Sequence, residues 1–519
     1  MSTTRKVEQM NYVIGCDVGS QSTKAVLVSF EGRLIGEASE SYAIDYPHPL
    51  WAEQPAERWA NALALAVRRL LAETKISAEQ VRAIGLATQV DGMVPVDRAG
   101  QPLHPALIWM DRRASEQCEA VRQRLNTEEV FQLTGLNLDP THVAPKIRWL
   151  ADQLPEIYEQ AAHFLLPGSY MTYHLTGEIA VDYSNASSTL LLDVRTKTWS
   201  TAMCEVFGID PARLARIDAA TQPLGTLRPA VAEALGLRTD TPVVIGCGDE
   251  HAACLGAGVV RPGLVGDIAG TAEPVCAASA APAFDTTHLV ETHCHADPNL
   301  WLLENPGFVS GGNVRWYRDH FSPLEVRAAQ ELNQSPYPLL DMGGARVSPG
   351  AEGVIFLPCL MGAMAPTWNE SARGVFFGFT LAHTRDHFTR ALLEGSAYAV
   401  RDIVDQMQAM GLELTEMRVV GGGAKSRLWN QIKADVTGLP VAVPHTTETT
   451  ALGAALLALV GAGAHHTLEE ACQQAVRLRE RFEPQPETQA IYADLYALYR
   501  QVYFALSPVF EQASRIRQE

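Results

Sequence analysis

The sequence predicts two α/β domains, each built on a mixed sheet that begins with hairpins and is flanked by helices, with a cleft between them. Three observations carry this reading. The chain has 519 residues, and a single hydrophobic core stops growing at about 250–300 residues. Its beginning is a series of short apolar runs separated by tight turns. The same strand, Gly/Thr turn, strand arrangement returns in the middle of the chain.

Taken in order, Tyr12-Val13-Ile14-Gly15-Cys16 is a strand that stops at Asp17. Thr23 to Val28 resumes it, and Phe30-Glu31-Gly32-Arg33 turns into Leu34-Ile35-Gly36. Such close spacing means consecutive hairpins, not crossover units. Ala56 to Leu71 carries Trp59, Leu63, Ala66 and Leu70 at helical spacing. Val81 to Ala87 reads as a buried strand ending at Thr88-Gln89-Val90-Asp91-Gly92, after which helices and strands alternate. The second beginning is Thr241 to Ile245, running into Gly246-Cys247-Gly248-Asp249-Glu250, followed by Leu264 to Cys276. A repeat this long is no solenoid. The Arg261-Pro262-Gly263 turn divides the domains into 11–260 and 261–519.

Composition narrows the function classes. The chain carries 41 Lys plus Arg against 59 Asp plus Glu, a formal charge of −18, which argues against a nucleic-acid partner. An anionic ligand is still allowed, because backbone N–H groups and a metal hold phosphate locally. With 47% hydrophobic and 19% charged residues the chain is globular. Its nine cysteines are scattered and form no CxxC pair, so buried reduced thiols are expected. No apolar segment follows the basic residues at the start. The run from Ala451 to Ala464 is too short and too glycine-rich for a bilayer, which needs about 20 residues. A soluble, cytoplasmic protein without membrane partners is expected.

Three glycine-bearing turns suit a nucleotide. In Asp17-Val18-Gly19-Ser20-Gln21-Ser22-Thr23-Lys24, Gly19 permits close backbone approach and Ser20, Ser22 and Thr23 offer hydroxyls. Lys24 supplies charge, and Asp17 suits Mg²⁺ held through water. An ordinary polar hairpin accounts for this loop alone equally well. The second turn, Asp267-Ile268-Ala269-Gly270-Thr271, offers another Gly/Thr pair, and two such turns face to face would clamp a triphosphate. The third is Gly421-Gly422-Gly423 before a helix bearing Leu428, Ile432 and Val436. There a base or ribose could slide over bare backbone. The chain contains no GxxxxGK[ST], which excludes a P-loop mechanism. Gly246-Cys247-Gly248 imitates a dinucleotide fingerprint, but Asp249 and Glu250 would repel a pyrophosphate and His251 replaces the third glycine.

In this order and spacing the three turns resemble the FGGY carbohydrate kinases of the actin-like ATPase superfamily, whose domains are ribonuclease H-like. Ala144 to Leu150 resembles the family's first signature. Gly374 to Phe379, continued by His387 to Gly395, resembles the second. Pro47 to Gln54 and Pro105 to Trp109 look most like its xylulokinase members. The resemblance runs from Tyr12 to about Gly463. It implies ATP-dependent phosphorylation of a sugar hydroxyl, with D-xylulose to D-xylulose 5-phosphate as the leading reaction, Mg²⁺ as cofactor, and a homodimer.

Carried over residue by residue, it makes Asp249 the catalytic base, with Asp17 and Asp249 serving the metal. Gly19, Ser20, Ser22, Lys24, Gly270 and Thr271 would meet phosphates. Gly422, Gly423 and Ser426 would meet adenosine, and Gly311-Gly312-Asn313 matches a nucleotide loop more weakly. Val90, Asp91, Trp109, Asp249 and Glu250 would hold substrate, with Asp111 beside Trp109 on the next strand. The positive end of a helix after Asp249 should keep it ionised.

Departures bear on the substrate. Xylulokinases carry His where this chain has Asp91 and Asn where it has Glu250, whereas glycerol kinases carry an acid at the first position. Thr141 and Val143 differ from the first signature, and Glu273 places a further acid after the second turn. An ionised carboxylate only accepts hydrogen bonds, so another ketose or polyol (ribulose, a pentitol, a glycerol-like molecule) is the alternative. An actin-like ATPase switch without sugar chemistry is the alternative from another class. His293 and His295 are read as packing residues. Arg373 and Lys146 are given no role.

Overall fold

The computed structural model describes residues 10–516. Strands β1 (Tyr12–Val18), β2 (Ser22–Ser29) and β3 (Leu34–Ser41) form an antiparallel meander. Helix α1 (Glu57–Thr74) buries Trp59, Leu63, Ala66 and Leu70 in the core beside it. Strand β4 (Val81–Thr88) returns parallel to β1, with Gly15 opposite Gly85, and β5 (Pro242–Val244) adds parallel to β4. The expected strands and helix are present, with ends shifted by one to a few residues; Thr241–Ile245 is trimmed to Pro242–Val244.

The second sheet repeats the first strand for strand. Strands β6 (Leu264–Ile268), β7 (Ala272–Ser279) and β8 (Trp301–Val309) form the meander. Strand β9 (Glu416–Val420) lies parallel to β6, and β10 (Val441–Pro444) lies parallel to β9.

Between these sheets the helices change sides. Helix α2 (Val143–Gln153) carries the first signature. Helix α3 (Asp249–Ala257) leaves the first sheet, yet Cys254 and Ala257 pack with Leu264, Cys276 and Val420 of the second. Helix α4 (Arg427–Thr437) follows β9. Helix α5 (Thr449–Gly461) follows β10, yet it lies on β1 and β4 of the first sheet. Glycines make that approach possible. A Cβ on Gly85 would stand 1.9 Å from the Ala454 carbonyl oxygen, and one on Gly15 would stand 2.1 Å from that of Ala451. Helices α3 and α5 cross at equally close range, with Gly256 against Thr449 and Gly453 against Ala252. The apolar run that begins at Ala451 is therefore a helix buried from Ala451 to Leu459.

All nine cysteines are buried and unpaired. Among the described residues no helix is long and apolar enough to cross a membrane.

The acid after the second turn does not face the cleft. Glu273 and Asp267 both point into the second domain, where the Lys433 ammonium on α4 pairs with both and all three side chains are fully buried. Burial and the charge of Glu273 push the Asp267 carboxyl up, while the two acids outweigh burial and hold Lys433 above its ordinary value. Removing the cation would strand two buried acids. Lys433→Met should lower unfolding free energy by about 3–5 kcal/mol in urea titrations, and an unchanged midpoint would refute that assignment.

Candidate active site

The β1–β2 turn is held by its own hydrogen bonds. The Gly19 N–H donates to the Ser22 carbonyl at 3.0 Å, the Tyr42 hydroxyl donates to the Gly19 carbonyl at 2.6 Å, and Gln54 Nε2 donates to the Ser20 carbonyl at 2.6 Å. These bonds fix the turn before any ligand arrives. Thr23 is fully buried against Tyr42, so its hydroxyl is not available to a ligand as expected. The Lys24 ammonium pairs with the Glu448 carboxylate just before α5, and an incoming phosphate would compete with that partner.

On the second sheet, the β6–β7 turn leaves Thr271 exposed. Its carbonyl accepts from the N–H groups of Ser310 and Gly312 at 3.2 and 3.1 Å, and Gly311 lies so close to Gly270 that a Cβ would stand 2.2 Å from its carbonyl oxygen. The Gly311-Gly312-Asn313 segment thus props the turn from behind. Further along, Gly421 turns at φ 82° against Ala269, and the Gly423 N–H donates to the Ala269 carbonyl at 2.9 Å. Gly422 stays exposed. Ser426 caps α4, accepting from the Trp429 N–H at 3.1 Å, so its hydroxyl has a structural task beside any ligand contact.

Asp249 opens α3, half-buried, with Gly248 as the cap. The helix end was expected to keep it ionised. Burial and the charges of Glu250 and Asp17 outweigh the helix and push its carboxyl well up. Asp17 is likewise pushed up to about 7 by burial, offset in part by Lys24. Two carboxyls that repel each other across a polar cleft suit a hard divalent cation, which takes oxygen ligands. Glu250 faces inward to Glu304 on β8, and burial with that neighbour raises it strongly. Burial pushes the Glu304 carboxyl up to about 7. Glu304, a residue of the second domain that no sequence motif marks, completes the acid cluster. Strand pairing with Glu291 and Cys276 sets it there.

The substrate end is built on the β4 turn. Val90 touches Gly248 so closely that a Cβ there would stand 2.6 Å from its Cγ1. Asp91 takes a left-handed backbone at φ 57°, an uncommon state for a residue with a side chain and one that clusters at functional sites. Lys146, buried on α2, donates to the Asp91 carbonyl at 2.6 Å and to that of Ile108 at 2.9 Å. It therefore has a role, as the buttress of this turn, and burial lowers its ammonium to about 8. Trp109 is 44% exposed and donates through Nε1 to Ser20 Oγ at 2.8 Å, which joins it to the β1–β2 turn. Asp111 is not available to a ligand. It lies past the strand Ala106–Leu107, fully buried, pairing with Arg113 at 2.7 Å and accepting from the Ala52 N–H at 2.7 Å. Arg113 in turn sits over the Trp51 ring at 3.7 Å. His142, the N-cap residue of α2, also reaches this turn, and nothing in its sequence surroundings announced it.

The first turn, the acids and the exposed tryptophan thus adjoin one another, and the second and third turns adjoin each other on the second sheet. The N-terminal domain pattern of the FGGY family of carbohydrate kinases matches residues 12–256, and the C-terminal domain pattern matches residues 268–462. The chain belongs to that family. It is a carbohydrate kinase of actin-like fold, and its family transfers a phosphoryl group from ATP to a sugar. Its relatives include the xylulose kinase of Escherichia coli strain K12, 32% identical over 96% of this chain and 99% of the relative. The glycerol kinase of Solidesulfovibrio magneticus is also 32% identical, over 91% and 94%. A gluconokinase of Bacillus subtilis is 30% identical over 87% and 88%. Among solved structures, the xylulose kinase from Rhodospirillum rubrum superposes with a TM-score of 0.88 at 28% identity, over 96% of this chain and all of that one. The relatives' different substrates leave the acceptor of this kinase to the pocket.

Proposed function

We propose that this kinase phosphorylates a terminal hydroxyl of an uncharged pentulose, D-xylulose first, to give D-xylulose 5-phosphate. Asp249 accepts the hydroxyl proton as the new bond forms between the substrate oxygen and the γ-phosphorus of ATP. The bond from that phosphorus to the bridging oxygen breaks, and ADP leaves with the electron pair. The turns at Gly19–Ser22 and Gly270–Thr271 cradle the phosphates through backbone N–H groups, and Gly422, Gly423 and Ser426 border the adenosine. Asp17 and Asp249 would hold Mg²⁺, which would supply neutralisation of phosphate charge. Trp109 covers the sugar and excludes water, a competing acceptor.

One observation carries the substrate class. Asp249 is raised by Glu250 and Asp17, and Glu250 by Glu304 and Asp91, so acids crowd one end of the site. A sugar acid would bring another negative charge there. A neutral substrate rich in hydroxyl donors fits. Asp91, an acceptor in place of an imidazole, favours a second reading, another ketose or a polyol such as a pentitol or glycerol.

Coupled ADP release with Mg-ATP across D-xylulose, D-ribulose, xylitol, ribitol, erythritol, glycerol and gluconate is the test. Strongest activity on D-xylulose is expected. A polyol responding alone would replace the first reading with the second, and activity on gluconate alone would sink both.

A further inference from the structure

Asp91 and His142 form a pair whose chemistry the acid cluster lacks. His142 Nδ1 lies 2.7 Å from the Ser188 carbonyl and 3.3 Å from Asp91 Oδ1. Both are acceptors, so Nδ1 carries the hydrogen. Nε2 takes no hydrogen-bond partner among the described residues, and it is not one of the sealed, unpartnered polar atoms of the interior. The side chain is 7% exposed and that of Asp91 13%. The ring is therefore clamped by one nitrogen and left open at the other, beside a carboxylate that opens to the same space.

We propose that His142 is a specificity-determining residue, giving a substrate oxygen an N–H donor through Nε2 while its partner Asp91 accepts from a neighbouring substrate hydroxyl. The pair would read two adjacent oxygens of a ketose or polyol, one as acceptor and one as donor. This inference rests on the neutral-substrate reading above and says which groups perform the recognition.

The surroundings keep the ring charged. Burial alone would lower its basicity, but Asp91 on the β4 turn, Glu291 on the neighbouring strand of the second sheet and Asp139 ahead of α2 together raise it to about 9. Lys146, one turn along α2, is bound to backbone carbonyls, and its ammonium is lowered to about 8. A group held above its unfolded value of 6.5 is charged below the folded value and loses its proton as pH rises through about 9. With Nδ1 already carrying a hydrogen, only the charged ring offers an N–H at Nε2.

The experiment uses the full chain, the sugar and polyol panel, and two variants. His142→Phe should raise KM for the responding substrate roughly 10- to 100-fold, the worth of one hydrogen bond to a charged group. Turnover should change by less than about threefold. His142→Gln, which keeps an N–H, should recover part of the loss. In the wild type KM should rise as pH passes about 9, whereas in His142→Gln it should stay flat. Equal KM in wild type and both variants, with ATP binding and melting unchanged, overturns the inference and leaves the kinase assignment standing. If His142→Phe does not fold, the glutamine variant and the pH profile decide. The ligand-free wild type should also show a doubly protonated imidazole by nitrogen NMR at neutral pH, lost in Asp91→Asn. A wild type silent on the panel sinks the substrate reading instead, and a neutral ring in that spectrum then removes this inference too.

Discussion

Asp249→Ala is expected to lose about 10² to 10⁴ in turnover while still binding ATP. The loss should fall on kcat, because the carboxyl acts on the hydroxyl proton only as the phosphoryl group arrives. Its pocket supports the role. Burial, Glu250 and Asp17 raise the group well above an ordinary aspartate, and a base of raised pKa takes a hydroxyl proton more readily than one that stays ionised at any pH. Glu250 stands next to it, so Glu250→Gln is the necessary companion. That variant should alter KM for sugar more than turnover. Coupled ADP release measures both effects, and calorimetric titration with Mg-ATP checks that Asp249→Ala still binds nucleotide. Near-normal sugar phosphorylation by Asp249→Ala would end the mechanism.

The largest effect on stability is expected at Gly453. A side chain there points at the backbone of α3, where an added Cβ would stand 1.9 Å from the Ala252 carbonyl oxygen. No rotamer relieves a clash of Cβ with backbone, so Gly453→Val must push α3 and α5 apart. Helix α5 would then leave β1 and β4, whose glycines were fitted to it. A loss of at least about 3 kcal/mol follows, seen as a lower urea midpoint or as insoluble chain. Gly411→Asn is the control, because nothing lies within 4 Å of a Cβ at that turn and asparagine tolerates its left-handed backbone. A Gly453→Val chain as stable as the control would show that the crossing can relax.

Much of the fold was legible because its signals are local. Apolar runs broken by Gly, Asp and Ser announce the two meanders, and helical spacing announces α1. The two glycine turns between strands were legible for the same reason, as sequence places Gly19, Ser20, Gly270 and Thr271 on tight turns directly. What failed was direction. Glu273 stands two residues after Thr271, but strand alternation and Lys433 turn it away from the cleft. Asp111 stands two residues after Trp109, but Arg113 and the Ala52 N–H claim it.

By itself the sequence determined two hairpin-led α/β domains, three glycine-bearing turns, and an aspartate at the start of a helix. These depend on backbone conformation and on residues close in the chain, so spacing encodes them. Only the tertiary structure decided which helix serves which sheet, with α5 crossing back onto the first domain through Gly15, Gly85 and Gly453. It alone brought Glu304 to Glu250, Glu448 to Lys24, and His142 to Asp91. Those partners lie far apart in sequence. Their ionisation and hydrogen bonds arise from burial in a shared low-dielectric space, and that space exists only after the two domains have packed.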